Sequence, residues 1–273
     1  MEEKTEDPEC LDERICPKGV YTEVVIREKD FAPKEPTFLL GFAGLGLVSS
    51  IAVNHLLEKV KDFKQIGFVH STKMPPMVPF YDGVLRQPFR IYFSPSINLI
   101  VAFSEVPWKS KYYIDLSNAL MHWALKMSVK DVVLIQGLAT NNPFPPDQYP
   151  VYCAAEKEVF GKLKEHGVEL LPKGIIMGIE AAILINCLNS RLDGYALVTP
   201  VAGSGIPSPE ASAAILKLLG SIYSIDIDVT ELEEQGKEIR KRYAEIAEVT
   251  RQQLEANSMD EGIKTQPRES LFI

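Results

Sequence analysis

The stretch DVVLIQGLA, residues 131–139, constrains the fold of this chain more than any other segment. Aliphatic side chains fill nearly every position, so neither face of the segment can meet water. A strand that is buried on both faces is typical of a parallel sheet covered by helices. Similar short apolar runs at 37–42 and 194–201 are each followed by a helix-like stretch. This alternation predicts a single three-layer α/β domain with a central, mostly parallel or mixed sheet.

Two of the predicted helices carry recognisable end signals. The amphipathic pattern of residues 154–167 predicts a helix that ends at Gly167, because glycine readily forms a C-terminal cap. A second helix is predicted to begin near Pro209, which suits a first turn, and Ser208 is its expected N-cap. These signals place helices between the strands, as a covered sheet requires.

The chain divides into three parts by composition. Residues 1–18 are predicted to be an acidic, flexible N-terminal segment, since residues 1–13 hold seven acidic side chains and one lysine. Residues 19–256 are predicted to form the α/β domain, which includes a long charged helix at 229–256. Residues 257–273 are mostly polar and are predicted to be a flexible C-terminal tail.

The helix predicted at 229–256 has a narrow apolar seam. The seam recurs at helical spacing and consists of Leu232, Ile239, Tyr243 and Ile246. Gly236 lies within it and weakens the helix. A seam of this width packs either on its own domain or on another subunit, and the sequence leaves both arrangements open.

The overall composition excludes several classes of partner. Of the 273 residues, 46% are apolar, which is enough for a sizeable core. Lys and Arg total 29 against 37 Asp and Glu, a net charge of −8. Non-specific nucleic-acid binding requires positive charge, so no nucleic-acid partner is expected. The sequence shows no run long enough to span a membrane and no signal-peptide pattern, which predicts a cytoplasmic protein without a membrane partner.

Three glycines, Gly41, Gly44 and Gly46, lie between an apolar strand and a helix-like stretch. Their order is Gly-x-x-Gly-x-Gly, which differs from the dinucleotide fingerprint, and the Gly-Lys-Ser/Thr of a P-loop is missing. No lysine or arginine occurs between Lys34 and Lys59, so a bound anion would depend on backbone N–H groups alone. We therefore predict a tight strand-to-helix turn without a nucleotide.

The sequence offers little for catalysis. It has neither the Gly-x-Ser-x-Gly elbow of a hydrolase nor the His-Glu-x-x-His of a zinc protease, and its four cysteines lack metal-ligand spacing. His70, Glu105 and Glu180 are isolated candidates, and Glu180 is interpreted as a charge at a helix N-terminus. We predict no catalytic residue, no metal and no cofactor.

Two loops are rich in proline and in large apolar side chains. They span residues 74–83 and 141–150, and their large apolar side chains include Met74, Met77, Phe80, Phe144 and Tyr149. Rigid loops that expose such groups would form a binding surface with little conformational entropy to lose. Alternatively, both loops fold over the ends of the sheet and bury these groups. The sequence leaves the two interpretations open.

Five segments in this order resemble the proteasome assembly chaperone 2 family. They are LLGFAGLGLVSSIAVNHLLEK from residue 39, MPPMVPFYDGVLRQP from 74, VVLIQGLAT from 132, IIMGIEAAIL from 175 and PSPEASAAILKLL from 207. The resemblance covers about residues 36–240. The chain departs from the family pattern at Gln136, which precedes Gly137 where the family has a second glycine. It also departs at Glu180-Ala181 and at Ser208.

The resemblance implies a nucleoside-phosphorylase-like α/β fold and a non-enzymatic, ATP-independent role in assembling or binding the proteasome. It identifies the chain as an archaeal-type homologue, implies a homo-oligomer, and names the α-subunits of the 20S core as partners. Some members dock through a C-terminal hydrophobic–tyrosine–any-residue motif, which corresponds here to Leu271, Phe272 and Ile273. Phe272 keeps the aromatic ring but lacks the hydroxyl, which bears on gate opening.

Two other functions remain open. One is an enzyme or small-ligand-binding protein of nucleoside-phosphorylase type, with a pocket at Gly41–Gly46, His70, Glu105 and Gln136–Thr140. Such a pocket should offer a cation to phosphate, and these segments contain none. The other is an oligomeric scaffold with a partner other than the proteasome.

Overall fold

The computed structural model describes residues 13–15, 22–28, 31–140, 149–202 and 205–263, and for residues 13–15 and 247–263 it describes the backbone alone. Phe144, the N-terminal segment up to residue 12, and Leu271, Phe272 and Ile273 lie outside the described residues. The predicted boundaries of the N-terminal segment and of the C-terminal tail stay predictions.

The described residues form twelve strands and six α-helices. The strands are β1 (Glu13–Ile15), β2 (Thr22–Ile26), β3 (Thr37–Phe42), β4 (Lys64–Ser71), β5 (Phe80–Tyr81), β6 (Val84–Leu85), β7 (Phe89–Ser94), β8 (Leu99–Ser104), β9 (Asp131–Thr140), β10 (Tyr152–Ala155), β11 (Glu169–Leu170) and β12 (Asp193–Ala202). The helices are α1 (Val48–Lys59), α2 (Tyr113–Lys126), α3 (Lys157–Leu163), α4 (Ile179–Ser190), α5 (Pro209–Tyr223) and α6 (Thr230–Ile263).

Ten of the strands form one mixed sheet in the order β1-β2-β4-β7-β8-β3-β9-β12-β10-β11. The four strands β8, β3, β9 and β12 run parallel at its centre, and the strands on the β1 side of β8 are antiparallel to their neighbours. Thr37 pairs with both Leu99 and Asp131, and Asp131 pairs with Asp193. The central strands therefore begin in register, and their carboxyl ends meet at one edge.

Helices cover both faces of the sheet. Along β3, Phe38 and Leu40 point into the core under α2 and α4, while Leu39 points into the core under α1 and α5. All three side chains are fully buried. The side chains of β3 therefore alternate between two apolar cores. The aliphatic run at 131–139 indicates the same arrangement for the neighbouring strand β9. The predicted three-layer α/β domain is confirmed.

The helix predicted at 154–167 begins later than the pattern suggested. Ala154 and Ala155 belong to β10, where they pair with Ala196 and Tyr195 of β12, and the helix starts at Lys157. Alanine favours helices over strands, so pairing with β12 on one side and β11 on the other overrides the local preference here. The predicted end is confirmed, because Gly167 has a left-handed φ of 78°.

The ends of the two last helices also differ from expectation. Ser208 is the N-cap residue of α5, but its side chain makes no capping hydrogen bond. The charged helix is longer than predicted and runs from Thr230 to Ile263. At a rise of about 1.5 Å per residue, a helix of 34 residues is about 50 Å long.

The first part of the α6 seam packs on its own domain. Leu232 is buried in the core beside α5, and Gly236 is buried against the carboxylate of Glu210. Arg240 forms an ion pair with that carboxylate at 2.6 Å between Nη1 and Oε1. Tyr243, which follows on the seam, is 45% exposed. The sequence leaves two arrangements open, and the first part of the seam adopts one of them by packing on the chain's own domain.

Candidate functional site

The carboxyl ends of β3, β8, β9 and β12 form the edge of the sheet at which ligands bind in open α/β proteins. Three connecting segments extend this edge. They are the 3₁₀ turn Leu45–Leu47 between β3 and α1, the β5–β6 hairpin, and residues 175–178, which lead into α4.

The glycines at the end of β3 and in the turn after it bring α1 close to the sheet. A Cβ on Gly41 would lie 2.8 Å from Oγ of Ser49 and 2.9 Å from Cγ2 of Val53, both on α1. Gly46 has a φ of 64°, and a Cβ there would lie 2.9 Å from Val201. Gly44 is exposed and has no such contact. At Gly41 and Gly46, only glycine permits this turn without strain.

A small crevice opens between the ends of β3 and β9 and the first turn of α4. Its volume is about 160 Å³. Its apolar lining comes mainly from the sheet and from α4, and its polar lining consists of Ser49, Tyr113, Gln136 and Glu180. Three helices thus each contribute a polar side chain, because α1, α2 and α4 all begin at this edge.

Glu180 and Ser49 are the two most deeply buried polar groups of the crevice. Glu180 is 8% exposed, and burial raises the pKa of its carboxyl group above the ordinary value. A Cβ built on Gly178, the residue before α4, would lie 3.0 Å from Oε2 of Glu180. Ser49 is 3% exposed, and its hydroxyl has no hydrogen-bond partner among the described residues. The crevice therefore holds one buried hydroxyl, that of Ser49, whose hydrogen-bonding capacity is unused among the described residues.

The pocket suggested for an enzyme is assembled only in part. Gly44, Leu45 and Gln136 line the crevice together, as that alternative expected. His70 is exposed on β4, where it pairs with Glu23 at the far side of the sheet. Glu105 is instead bound by Arg90, at 2.9 Å between Nη2 and Oε1.

Sequence reasoning missed the contributions of Ser49 and Tyr113 to the crevice. Ser49 lies within the first family segment but carries no chemical signal there, Tyr113 lies outside the five segments, and both reach the crevice only because parallel strands end side by side. The sequence places Glu180 at a helix N-terminus, and in the structure it lies in the first turn of α4. No sequence signal indicated its burial.

The β5–β6 hairpin is fixed to the sheet by a polar cluster. Asp82 and Gly83 have φ values of 51° and 76°, as the tight turn of a two-residue hairpin requires. The hydroxyl of Tyr81 donates to Glu105 just beyond β8, and the guanidinium of Arg90 lies 5.7 Å from the centre of the Tyr81 ring. The hairpin is therefore held in place although most of its surface is exposed.

The segments at this edge expose many large apolar side chains, which we call the carboxyl-edge surface. Its members are Leu45, Leu47, Met77, Val78, Phe80, Tyr81, Val84, Leu85, Leu138, Ile175 and Met177, each at least 40% exposed. Contiguous exposed apolar groups commonly mark sites of protein interaction.

The residues of the two proline-rich loops have different positions. Met77 and Phe80 are 52% and 68% exposed and belong to the carboxyl-edge surface. Met74 is partly buried against the core under α2. Tyr149 is partly buried in the opposite core, and its hydroxyl accepts a hydrogen bond from Arg240 at 3.3 Å. Their predicted role in an interface stays a prediction.

The described residues contain neither a metal-binding cluster nor a membrane-spanning helix. Within those ranges no group of three or more histidine, cysteine or carboxylate side chains is arranged to hold a metal ion. None of the helices in the described part of the chain is both long and apolar enough to cross a membrane.

Cys153 and Cys187 are buried thiols, and burial raises the pKa of each to about 12.

The fold and its edge define the class of this protein: a three-layer α/β domain whose parallel strand ends open onto an exposed apolar surface. Within that class, the PAC2 family model matches residues 38–247. The chain belongs to the PAC2 family, as its sequence motifs implied.

The chain is also similar to several solved structures and to a curated relative. PbaA of Pyrococcus furiosus, an archaeal homologue of proteasome-assembly chaperone, has a TM-score of 0.73 at 22% identity, over 90% of this chain and 99% of its own. PbaB of the same organism, an archaeal proteasome activator, has a TM-score of 0.72 at 20% identity, over 83% and 99%. A Thermoplasma acidophilum protein of unknown function has a TM-score of 0.67 at 31% identity, over 83% and 92%. MJ0106 of Methanocaldococcus jannaschii, an uncharacterized protein, is 22% identical over 215 residues, which are 79% of this chain and 87% of that relative.

Proposed function

We propose that this chain is a non-enzymatic, ATP-independent proteasome assembly chaperone or activator that binds α-subunits of the 20S core. The observation that carries the proposal is membership of the PAC2 family over residues 38–247. It is supported by the fold shared with PbaA, named as a homologue of proteasome-assembly chaperone, and with PbaB, named as a proteasome activator. We further propose a cytoplasmic homo-oligomer with neither nucleic-acid nor membrane partners, in keeping with the net charge of −8.

The carboxyl-edge surface supports binding of a protein partner. Phe80 and Leu85 of the hairpin are 68% and 69% exposed, and Ile175 is 87% exposed. The ion pair and hydrogen bond of Glu105 hold the hairpin in one position, so a partner would not need to order it. Preorganised apolar groups bind with a smaller entropy loss than mobile ones.

A second contact is proposed for the C-terminal tail, at Leu271, Phe272 and Ile273. Helix α6 leads toward it and continues for 17 residues beyond residue 246, or about 26 Å. This length supports a tail that reaches away from the α5 face. Ordering a mobile segment costs about 1–2 kcal/mol per backbone residue, so one tail is expected to bind weakly. Several tails on an oligomer would raise the avidity on the order of 100-fold.

The polar groups at the sheet edge support a non-enzymatic role. Glu105 is engaged by Arg90 and Tyr81, and His70 is exposed on a distant strand. Phosphorolysis would require a cation for phosphate, and no basic residue lines the crevice. The crevice itself favours a second candidate function, small-ligand binding, because the buried hydroxyl of Ser49 lines it without a hydrogen-bond partner among the described residues.

Surface plasmon resonance on immobilised 20S α-subunits from the same organism tests the tail. We expect the intact chain to bind, and deletion of residues 271–273 to abolish binding while folding and oligomeric mass stay unchanged. Phe272→Ala should weaken binding nearly as much as the deletion, because the ring supplies most of the buried area. Phe272→Tyr should bind at least as well as the intact chain. Ser270→Ala is the matched control. Equal binding by the truncated chain would contradict a role for the tail.

A further inference from the structure

The crevice between β3, β9 and α4 combines an acidic group with an apolar wall. Phe42, Leu45, Ile135 and Ile179 line it beside the carboxyl group of Glu180. Gly44 and Leu45 are exposed, so the crevice is open to solvent on their side. A ligand that fits would therefore need an apolar body and a polar end.

Within the described ranges, no lysine or arginine side chain balances the charge of Glu180. Among the described residues, none of the ion pairs includes this carboxylate. Residues 141–148 and 203–204, which follow β9 and β12, contain no lysine or arginine. A carboxylate removed from water is unfavourable unless a cation or several donors compensate it. The site is thus complementary to a cation from outside the chain.

The hydroxyl of Ser49 is a second, independent sign of a missing ligand. It is buried on α1, lines the same crevice and has no hydrogen-bond partner among the described residues. Buried hydroxyls in native proteins nearly always have a partner. An N–H donor in the crevice would supply one.

We propose that the crevice binds a primary alkylammonium group, with the carboxylate of Glu180 pairing with the ammonium and the hydroxyl oxygen of Ser49 accepting a hydrogen bond from one of its N–H groups. The alkyl chain packs against Phe42, Leu45 and Ile179. This site goes beyond proteasome binding and does not depend on it.

The volume limits the ligand to a short chain. An apolar cavity of about 150 Å³ accepts benzene, which has six heavy atoms, and the crevice has about 160 Å³. The side chain of lysine from Cβ to Nζ has five heavy atoms, as does n-butylammonium. The ammonium therefore comes either from a free amine or from a lysine side chain of a protein partner.

Isothermal titration calorimetry of the full chain with three probes of similar size tests the charge requirement. We expect n-butylammonium to bind with a Kd on the order of 1–10 mM, n-butanol at least ten times more weakly, and butyrate not at all. Equal binding of n-butanol and n-butylammonium, or no saturation by n-butylammonium below about 50 mM, would overturn the proposal. These comparisons use the natural chain and do not depend on the folding of a variant.

Variants test the assigned groups. Glu180→Gln should weaken n-butylammonium binding at least tenfold, and Ser49→Ala should weaken it by a smaller factor. Glu158→Gln is the matched control, because Glu158 lies in the first turn of α3 and is exposed. Unchanged binding by Glu180→Gln, or an equal loss in the control, would reject the site.

A lysine derivative distinguishes the two sources of the ammonium. If the site takes lysine side chains, Nα-acetyl-lysine methylamide should bind as well as n-butylammonium. If it takes free amines, the peptide groups of that probe should prevent entry and n-butylammonium alone should bind. Binding of either one in a Glu180-dependent way supports the proposal.

Discussion

At the scale of single residues, Glu180 makes stability depend on pH. Its folded pKa is raised above the ordinary value of 4.5, with burial as the largest cause. The folded chain therefore holds this proton more tightly than the unfolded chain does. Its contribution to the free energy of unfolding is most favourable below pH 4.5 and is lost as the pH rises through the folded pKa.

Glu180→Gln should remove this pH dependence. We expect the unfolding free energy of the natural chain, measured relative to that of the variant, to fall as the pH rises from 4 to 7. Urea denaturation at several pH values measures it. Glu158→Gln at an exposed first turn should leave the profile nearly unchanged. A difference that rises with pH would mean that the carboxylate is stabilised in the folded chain.

At the scale of elements, helix α6 depends on a glycine that a helix would otherwise avoid. Gly236 is in contact with the carboxylate of Glu210, which also pairs with Arg240. Glycine within a helix costs about 1 kcal/mol relative to alanine. Close packing against α5 explains why this cost is accepted here.

Gly236→Ala should therefore destabilise the chain by about 1–3 kcal/mol, because the added methyl group displaces the Glu210 carboxylate. Gly161→Ala on α3 is the matched control, since no atom lies within 4 Å of the added Cβ. That variant should gain roughly 0.5–1 kcal/mol from helix propensity. Thermal unfolding measures both. A stabilising Gly236→Ala would show that α6 does not pack on α5 in this way.

The β5–β6 hairpin should contribute to partner binding without contributing to stability. Phe80 and Leu85 are largely exposed, so replacing both with serine should change the unfolding free energy by less than about 0.5 kcal/mol. The affinity for α-subunits should fall about tenfold if they are contact residues. Leu170→Ser, at an exposed position of β11, is the control for lost apolar surface. A double variant that keeps full affinity would exclude the hairpin from the interface.

The elements differ in how well the sequence predicts them. The central strands were predictable because burial on both faces leaves an aliphatic run, as in β9. Strand β10 was not predictable, because its alanines fit a helix equally well and only pairing with β12 determines its conformation. The proline-rich composition of residues 74–83 favours a loop, although Asp82-Gly83 between apolar pairs is a hairpin signal. The crevice could not be predicted from the sequence, because Ser49, Tyr113 and Glu180 meet only through tertiary packing.

At the scale of the whole molecule, we expect a homo-oligomer. The second part of the α6 seam is exposed, with Tyr243 at 45% and Ile246 at 60%, and the carboxyl-edge surface adds further apolar area. Light scattering should give a mass above 30.5 kDa. Ile246→Asp should lower that mass at a given concentration if the seam lies between subunits, whereas Lys241→Asp at an exposed polar position should not. A monomer mass at all concentrations would contradict this expectation.

Binding to the proteasome is the central claim, and co-sedimentation tests it most directly. Purified full-length chain is mixed with isolated 20S α-subunits in the absence of ATP and separated on a gradient. The account predicts that the chain sediments together with the α-subunits at micromolar concentrations and that added ATP changes nothing. If the folded chain sediments alone at every concentration, while the α-subunits form their own ring, the claim is wrong.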